Sequence, residues 1–177
     1  MHITPDDIQG SISDNAVITI FDGTALKNVP VSNGKFTEAH GITPGYYGVL
    51  FFTKEGSYPE TILFKAQDRS MKGDSVSLKS LKDAGKGVLT GVVYKPVTGG
   101  KLREHKGIFQ TFKGEKIHLV KDSVSRETTT DDKGIFMIEL LPGEYEIVFN
   151  GRNAGKALIE KGKTTVKNIQ KGVVLKD

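Results

Sequence analysis

The chain has no cysteine, so its histidines are the first candidates for catalytic or metal-binding side chains. Without cysteine the chain has no disulfide, no thiolate metal site and no cysteine nucleophile. The histidines do not show the spacing of zinc ligands; they are His2, His40, His105 and His118. His118 lies between Ile117 and Leu119, so strand alternation predicts that it faces solvent. We therefore expect surface roles for these side chains.

Paired carboxylates occur at residues 6–7 and 131–132. A calcium site needs six to eight oxygen ligands, and neither pair belongs to an Asp-x-Asp-x-Asp-Gly loop. Asp-Asp-Lys-Gly at residues 131–134 is typical of a turn. Residues 99–101 (Gly-Gly-Lys) lack the spacing of a phosphate loop, and no nucleophile elbow occurs. We expect no enzyme activity, no metal and no cofactor.

The segment 101–114 combines basic and aromatic side chains, and it is the best candidate for binding. Such side chains bind acidic polymers, glycans or proteins. Alternatively, the aromatic rings fold back over the sandwich edge or onto the first module while the charges stay solvated. The candidate interface consists of Arg103, His105, Lys106, Ile108, Phe109, Phe112 and Lys113.

The 177 residues include 21 glycines and few helix-forming runs, which favours an all-β chain with many turns. Residues 1–84 carry 8 Lys and Arg against 10 Asp and Glu, whereas residues 85–177 carry 17 against 11. The basic second half suits an anionic partner or, alternatively, serves solubility through exposed lysines. No apolar run is long enough to span a membrane.

An internal repeat relates the two halves of the chain with a shift of about one hundred residues. Residues 33–36 (Asn-Gly-Lys-Phe) correspond to 133–136 (Lys-Gly-Ile-Phe), where glycine supplies the positive φ of a tight turn. Residues 44–51 (Pro-Gly-Tyr-Tyr-Gly-Val-Leu-Phe) correspond to 142–149 (Pro-Gly-Glu-Tyr-Glu-Ile-Val-Phe). The short polar stretch 83–87 is typical of a linker. We therefore predict two tandem modules, residues 1–84 and 85–177.

Each Pro-Gly pair predicts a turn that leads into a strand of alternating side chains. Tyr47, Val49 and Phe51 then share one face, as do Tyr145, Ile147 and Phe149. Both phenylalanines that follow the tight turns, Phe36 and Phe136, are expected to face inward. A tyrosine directly after such a turn can bond its hydroxyl to the backbone as a tyrosine corner, so these tyrosines are expected to be structural.

The second half resembles the carboxypeptidase regulatory-like, transthyretin-like (prealbumin-like) domains and the related Cna B-type repeats of bacterial surface proteins. The resemblance rests on residues 91–94 (Gly-Val-Val-Tyr), 131–136 (Asp-Asp-Lys-Gly-Ile-Phe) and 141–147 (Leu-Pro-Gly-Glu-Tyr-Glu-Ile), and it covers residues 87–177. It implies a Greek-key β-sandwich and a non-catalytic accessory or adhesive role outside the cytoplasm. The first half resembles these domains through its Asn-Gly-Lys-Phe and Pro-Gly-Tyr-Tyr segments.

Two chemistries known from these families do not match this sequence. The glutamate that promotes the isopeptide bond of Cna B-type repeats is replaced by residues 148–149 (Val-Phe) and 50–51 (Leu-Phe). The Tyr-Arg-Gly-Ser-like segment of the transthyretin-related hydroxyisourate hydrolases does not match residues 172–177 (Gly-Val-Val-Leu-Lys-Asp). We expect neither an isopeptide bond nor this hydrolase activity.

The fold prediction is two tandem Greek-key β-sandwich modules that form a non-catalytic structural or interaction protein. Its partner is expected to be another protein or a second copy of the chain, through sheet edges. The alternative function is a module that binds carbohydrate or an anionic polymer; nucleic acid is not expected. Residues 1–7 lack the pattern of a signal peptide. An extracytoplasmic location after signal removal and a cytoplasmic location both stay open, and we expect the former.

Overall fold

The computed structural model describes residues 7–12, 15–39, 42, 44–66, 71–97 and 108–172. Within these ranges the chain forms strands and turns and no helix, which confirms the all-β prediction. The chain divides into two compact units. The first unit takes its described residues from 1–81 and 97–109, and the second from 82–96 and 110–177. The predicted module boundary between residues 84 and 85 stays a prediction.

The first unit contains two four-stranded sheets, in the orders β4-β5-β1-β8 and β3-β2-β6-β7. Its neighbouring strands are antiparallel except β1 and β8, which are parallel. The strands are β1 (Asp7–Ile12), β2 (Val17–Phe21), β3 (Leu26–Val29), β4 (Val31–Ser32), β5 (Lys35–Ala39), β6 (Tyr47–Thr53), β7 (Glu60–Lys65) and β8 (Met71–Val76).

The core of the first unit lies between its two sheets, because the buried apolar residues come from both. Phe36 of β5 lies in this core and its ring is 5.9 Å from that of Phe52 of β6. Burial of Phe36 confirms the inward orientation predicted from the sequence. The members are Ile12, Ala16, Ile18, Ile20, Val29, Phe36, Ile42, Leu50, Phe52, Phe64 and Ala66.

The second unit also consists of two sheets. One has β9 at its centre, with β10 and β13 on one side and β16 and β17 on the other; the second has the order β12-β11-β14-β15. The strands are β9 (Gly87–Pro96), β10 (Phe109–Thr111, whose first residue belongs to the first unit), β11 (Lys116–Lys121), β12 (Val124–Thr129), β13 (Ile135–Leu140), β14 (Gly143–Phe149), β15 (Arg152–Ile159), β16 (Thr164–Val166) and β17 (Ile169–Gln170).

The core of the second unit again joins both sheets, and its composition follows the sequence pattern. Phe136 is buried, and Tyr145, Ile147 and Phe149 lie on the core face of β14, as the alternation predicted. The members are Leu89, Val93, Ile117, Leu119, Phe136, Leu140, Tyr145, Ile147, Phe149, Ala157, Ile159 and Ile169.

Strand β9 has neighbouring strands along both edges, and glycine at two of its positions leaves room for the backbone that follows β15. A Cβ at Gly91 would overlap the carbonyl oxygen of Lys167, and a Cβ at Gly87 would overlap that of Glu160. The chain after β15 therefore approaches β9 closely, and Lys167 N–H donates to Thr90 O at 2.8 Å. Where β16 and β17 part, the Asn168 side chain continues the ladder by accepting from Val92 N–H at 3.0 Å.

The turns that relate the two halves have the positive φ that the sequence predicted. Gly34 and Gly134 have φ of 68° and 79°, and the Pro-Gly glycines Gly45 and Gly143 have φ of 95° and 140°. Left-handed backbone is strained for residues with a Cβ, so glycine at these positions favours the observed turns.

A buried carboxylate organises the β2–β3 turn of the first unit. Oδ1 of Asp22 accepts from Thr24 N–H and Ala25 N–H, both at 3.0 Å, and from Thr24 Oγ1 at 2.6 Å. Oδ2 makes no hydrogen bond of regular geometry but lies 3.1 Å from Lys27 Nζ, so that contact is ionic. Burial raises the pKa of Asp22, but the hydrogen bonds from Thr24 and Ala25 and the contact with Lys27 together outweigh it, so the pKa is lowered.

Replacing Gly91 with alanine is expected to destabilise the second unit, because the new methyl group meets backbone that cannot move aside. The cost should exceed the about 1–2 kcal/mol that left-handed backbone imposes on a non-glycine residue. Gly114→Ala is the matched control, since Gly114 has φ of 71° and open space around its Cα. Urea unfolding followed by circular dichroism measures both. Equal stability of the two variants would contradict the close approach.

Asp22→Asn is expected to remove a pH-dependent part of the stability of the first unit. A lowered pKa in the folded state stabilises the fold above the ordinary value of 3.8, and this contribution is lost as the pH falls through the folded pKa. The wild-type advantage should thus be complete at neutral pH and shrink below about pH 4. Urea midpoints between pH 3 and pH 7 measure it; a gap that grows in acid would contradict the assignment.

Candidate docking groove

The predicted interface at residues 101–114 is described only in part. Arg103, His105 and Lys106 lie outside the described residues. Phe109 is buried, and its ring centroid is 5.5 Å from that of Phe21 within the first unit. Ile108 is half-buried. This interface stays a prediction, and its described aromatic ring at Phe109 is packed against the protein.

The other two predicted interface residues also have partners. Phe112 packs against the second core, and Lys171 Nζ lies 4.4 Å from the centre of its ring. The Lys171 ammonium also donates to the Glu115 carboxylate, which ties the end of β17 to the β10–β11 turn. Lys113 is exposed and its Nζ lies 2.9 Å from Asp132 Oδ1. Phe112 thus contacts the second core, and its predicted place in an interface stays a prediction.

His118 lies on the outer face of β11, between the buried Ile117 and Leu119, which confirms the orientation predicted by alternation. Its Nδ1 lies 3.6 Å from Glu127 Oε2 on β12. Within the described ranges no group of three or more His, Asp or Glu residues is placed to hold a metal ion. The same residues include no helix of the length and hydropathy that a membrane span requires.

A groove of about 660 Å³ opens in the second unit between strands β12 and β13. One wall is the inner face of β12, which is continuous with the core face of β11. Val124 and Arg126 lie opposite Lys121 and Leu119, respectively, and Leu119 belongs to the core. The side chains of Val124 and Arg126 therefore continue the core face of the sheet onto β12. Val124 is 55% exposed although it points inward.

The other wall of the groove is the inner face of β13 and the turn that follows it. Ile138 and Leu140 line this wall, and both contact the second core. Leu141 in the turn is 61% exposed. Thr128 Oγ1 donates to Met137 O at 3.1 Å, which joins the two sheets at one end of the groove. From that bond toward Leu141 the sheets separate and leave part of the sandwich interior uncovered.

Tyr145 forms the base of the groove and fixes the turn at its edge. Its hydroxyl donates to Leu141 O at 3.1 Å, which is the tyrosine corner predicted for this position. The ring is buried in the core. The corner holds the Leu141 backbone over the base of the groove, so the exposed leucine has a defined position.

The repeat does not extend to the corresponding tyrosine of the first unit. Tyr47 is 39% exposed, and the neighbouring residues Leu50 and Phe52 face the core instead. At Gly48 a Cβ would overlap the ring of Phe64 and the side chain of Ile42. These two side chains therefore fill the space beneath this turn, and a tyrosine does not enter it.

Two cations lie on the inner faces of the groove. Lys121 donates from Nζ to Pro142 O at 2.7 Å, and its ammonium is 5.7 Å from the centre of the Tyr145 ring. Arg126 projects from the inner face of β12 beside Val124. Lys86 reaches the rim, where its Nζ is 3.4 Å from Asp83 Oδ2.

The carboxylates that border the groove lie on the outer side of its walls. Glu127 lies opposite His118 on the outer face, and Lys116 Nζ is 3.1 Å from its Oε1. Glu139 alternates with the inward Ile138 and Leu140, so its side chain points outward. Asp122 lies at the tip of the β11–β12 hairpin, where it and Ser123 have positive φ. Of the residues that line the groove, those on the inner faces of β12 and β13 are therefore apolar or basic.

Neither family models nor curated proteins give a match to this chain. Solved structures give distant similarities. The TIE protein of Bacillus anthracis has 14% identity and a TM-score of 0.36, and the match covers 93% of this chain and 33% of that protein. A minor pilin of Streptococcus agalactiae has 12% identity and a TM-score of 0.34, with 93% and 94% covered. The chain thus spans about one third of the TIE protein. Similarity at this level carries no information about function.

Sequence reasoning missed the groove, although it found two of its structural parts. The tyrosine corner and the inward face of β14 followed from the pattern. Val124 and Arg126 lie in a mostly polar run of the sequence, residues 123–130, and their inward orientation depends on the register of β12 against β11. Val124 within that run is the one signal that could have indicated an apolar position.

Tyr145→Phe is expected to loosen the turn after β13, because it removes the bond to Leu141 O while it keeps the buried ring. The loss should be about 0.5–1.5 kcal/mol, the usual net contribution of one hydrogen bond. Tyr47→Phe is the matched control, with a change below about 0.5 kcal/mol for an exposed site. Urea unfolding measures the free energy of unfolding of both variants. A larger loss of stability for Tyr47→Phe than for Tyr145→Phe would contradict the tyrosine corner.

Proposed function

We propose that this chain is a non-catalytic structural protein that mediates protein–protein contact through the groove between β12 and β13. The observation that carries the proposal is the exposure of apolar side chains that line the groove, above all the inward-facing Val124 and the turn residue Leu141. Single exposed leucines are common on protein surfaces, but a contiguous apolar patch with a charged rim is typical of an interaction site.

The energetics favour occupation of the groove. Full burial of a valine or leucine side chain contributes about 1.5–3 kcal/mol, and the groove presents both kinds beside Ile138 and Leu140. The Tyr145–Leu141 bond fixes the turn at one end of the groove, and the Thr128–Met137 bond joins the two walls at the other end. A partner therefore meets a site that is largely formed in advance, which lowers the entropic cost of binding.

The proposed location is outside the cytoplasm, at the cell surface, in the periplasm or secreted. The resemblance of residues 87–177 to carboxypeptidase regulatory-like and Cna B-type domains supports this part of the proposal, because such domains are accessories of extracytoplasmic proteins. Under this proposal the partner in the groove is either a second copy of this chain or a different protein.

A photoreactive amino acid at position 141 tests the proposed function in the cells that make the protein. We expect ultraviolet light to give a discrete adduct whose second component, sequenced by mass spectrometry, is a protein or another copy of this chain. The matched control carries the same residue at position 158, because Leu158 on β15 is 60% exposed and does not line the groove. No adduct, or the same adducts at both positions, would overturn the proposal.

A further inference from the structure

Building on the proposed function, we infer that the groove binds an extended peptide strand that places a carboxylate between two apolar side chains. The inference names the chemistry of the partner segment. It rests on three observations: the shape of the groove, the apolar residues on its walls and the position of its cations.

The shape fits an extended segment better than a helix. The groove runs along two strand edges, and within the described residues β12 pairs with β11 alone and β13 with β9 alone. From the Thr128–Met137 contact to Leu141 the β13 wall spans four residues, or about 13 Å at the rise of a β-strand. A peptide of four to five extended residues has the same length. A helix is about 10 Å wide, as wide as the usual spacing of two packed sheets, so it suits the groove less well.

The walls present apolar side chains at the spacing of a strand. Ile138 and Leu140 are two residues apart on one inner face, and Val124 and Arg126 are two residues apart on the other. A bound strand directs alternate side chains to the same side, so its positions one, three and five face the groove. Two of these three positions would meet the apolar residues.

The third position would meet a cation. Arg126 lies beside Val124 and opposite Leu119 on the inner face. The Lys121 ammonium is held by a carbonyl oxygen and an aromatic ring. Glu127, on the outer face, is engaged with Lys116 and His118. A carboxylate from the partner would pair with the exposed Arg126, whose planar guanidinium can make two parallel hydrogen bonds to it.

A purely protective role for Arg126 is the competing explanation. Inward-pointing charges on edge strands prevent sheets from pairing edge to edge. Under that explanation, removing the charge promotes self-association, and peptides with and without a carboxylate bind equally weakly. Under the inference, removing the charge weakens binding of the acidic peptide and leaves the oligomeric state unchanged.

The test uses the full chain and the fluorescein-labelled probe Thr-Val-Thr-Asp-Thr-Val-Thr, which has capped ends and places Val, Asp and Val on one face. Matched probes replace Asp with Asn or Lys, or both Val residues with Ser. Fluorescence anisotropy should show the Asp probe binding about two- to fivefold more tightly than the Asn probe, since solvent screens a pair that involves an exposed arginine. Equal affinity of the Asp probe and its serine version would show charge attraction alone and overturn the inference.

Charge reversal in the protein completes the test. Arg126→Glu should weaken binding of the Asp probe about fivefold or more, because it replaces an attraction with a repulsion, and it should reverse the preference toward the Lys probe. Arg152→Glu is the control, because Arg152 on β15 is exposed, does not line the groove and gives the same change in net charge. Circular dichroism confirms that both variants fold. An equal effect of the two substitutions, or no binding by any probe, would overturn the inference.

The mass of the Arg126→Leu variant, measured by light scattering, distinguishes the inference from the protective role of Arg126. An unchanged mass across concentration supports the inference, and concentration-dependent growth limited to this variant contradicts it. The inference and the proposed function can fail separately. A specific adduct at position 141 with no preference for the Asp probe would leave the proposed function standing and remove the acidic-strand partner.

Discussion

The close approach of backbone to Gly91 and Gly87 is the constraint on which the second unit depends. Both residues lie on β9, and the carbonyl groups of Lys167 and Glu160 occupy the space that a side chain would need. Because glycine is present, β16 and β17 pair with one edge of β9 while β13 takes the other. Val88, Leu89, Val92 and Val93 of this central strand are all buried, and Leu89 and Val93 lie in the core.

The groove follows from this arrangement. With β13 held against β9, its other edge turns toward β12 of the opposite sheet, and one hydroxyl bond joins Thr128 to Met137. Beyond that bond the sheets diverge, so the inner faces of both strands reach solvent. The sandwich thus exposes part of its own interior at one corner, and the Tyr145 hydroxyl keeps that corner in a fixed shape. An exposed but rigid apolar surface favours binding because little order is lost when a partner enters.

Local patterns predicted the fold class, the tight turns and the inward faces of several strands. Glycine at positive φ, Pro-Gly turns and period-two alternation act over a few residues, so the sequence shows them directly. The exception is Tyr47, where Gly48 lets Phe64 and Ile42 fill the space below the turn. The groove could not be predicted, because the orientation of Val124 and Arg126 depends on strand register and on which edges stay uncovered. These properties arise from tertiary packing, not from local spacing.

The central claim is that a partner strand lies against Val124 and Leu141. Nuclear Overhauser effects between methyl-labelled protein and the unlabelled Asp peptide measure this directly, because they require protons within about 5 Å, a typical distance between neighbouring side chains. The account predicts cross-peaks from the Val124 and Leu141 methyl groups to the valine methyl groups of the peptide. Cross-peaks that involve only methyl groups elsewhere, such as those of Leu158, would contradict it.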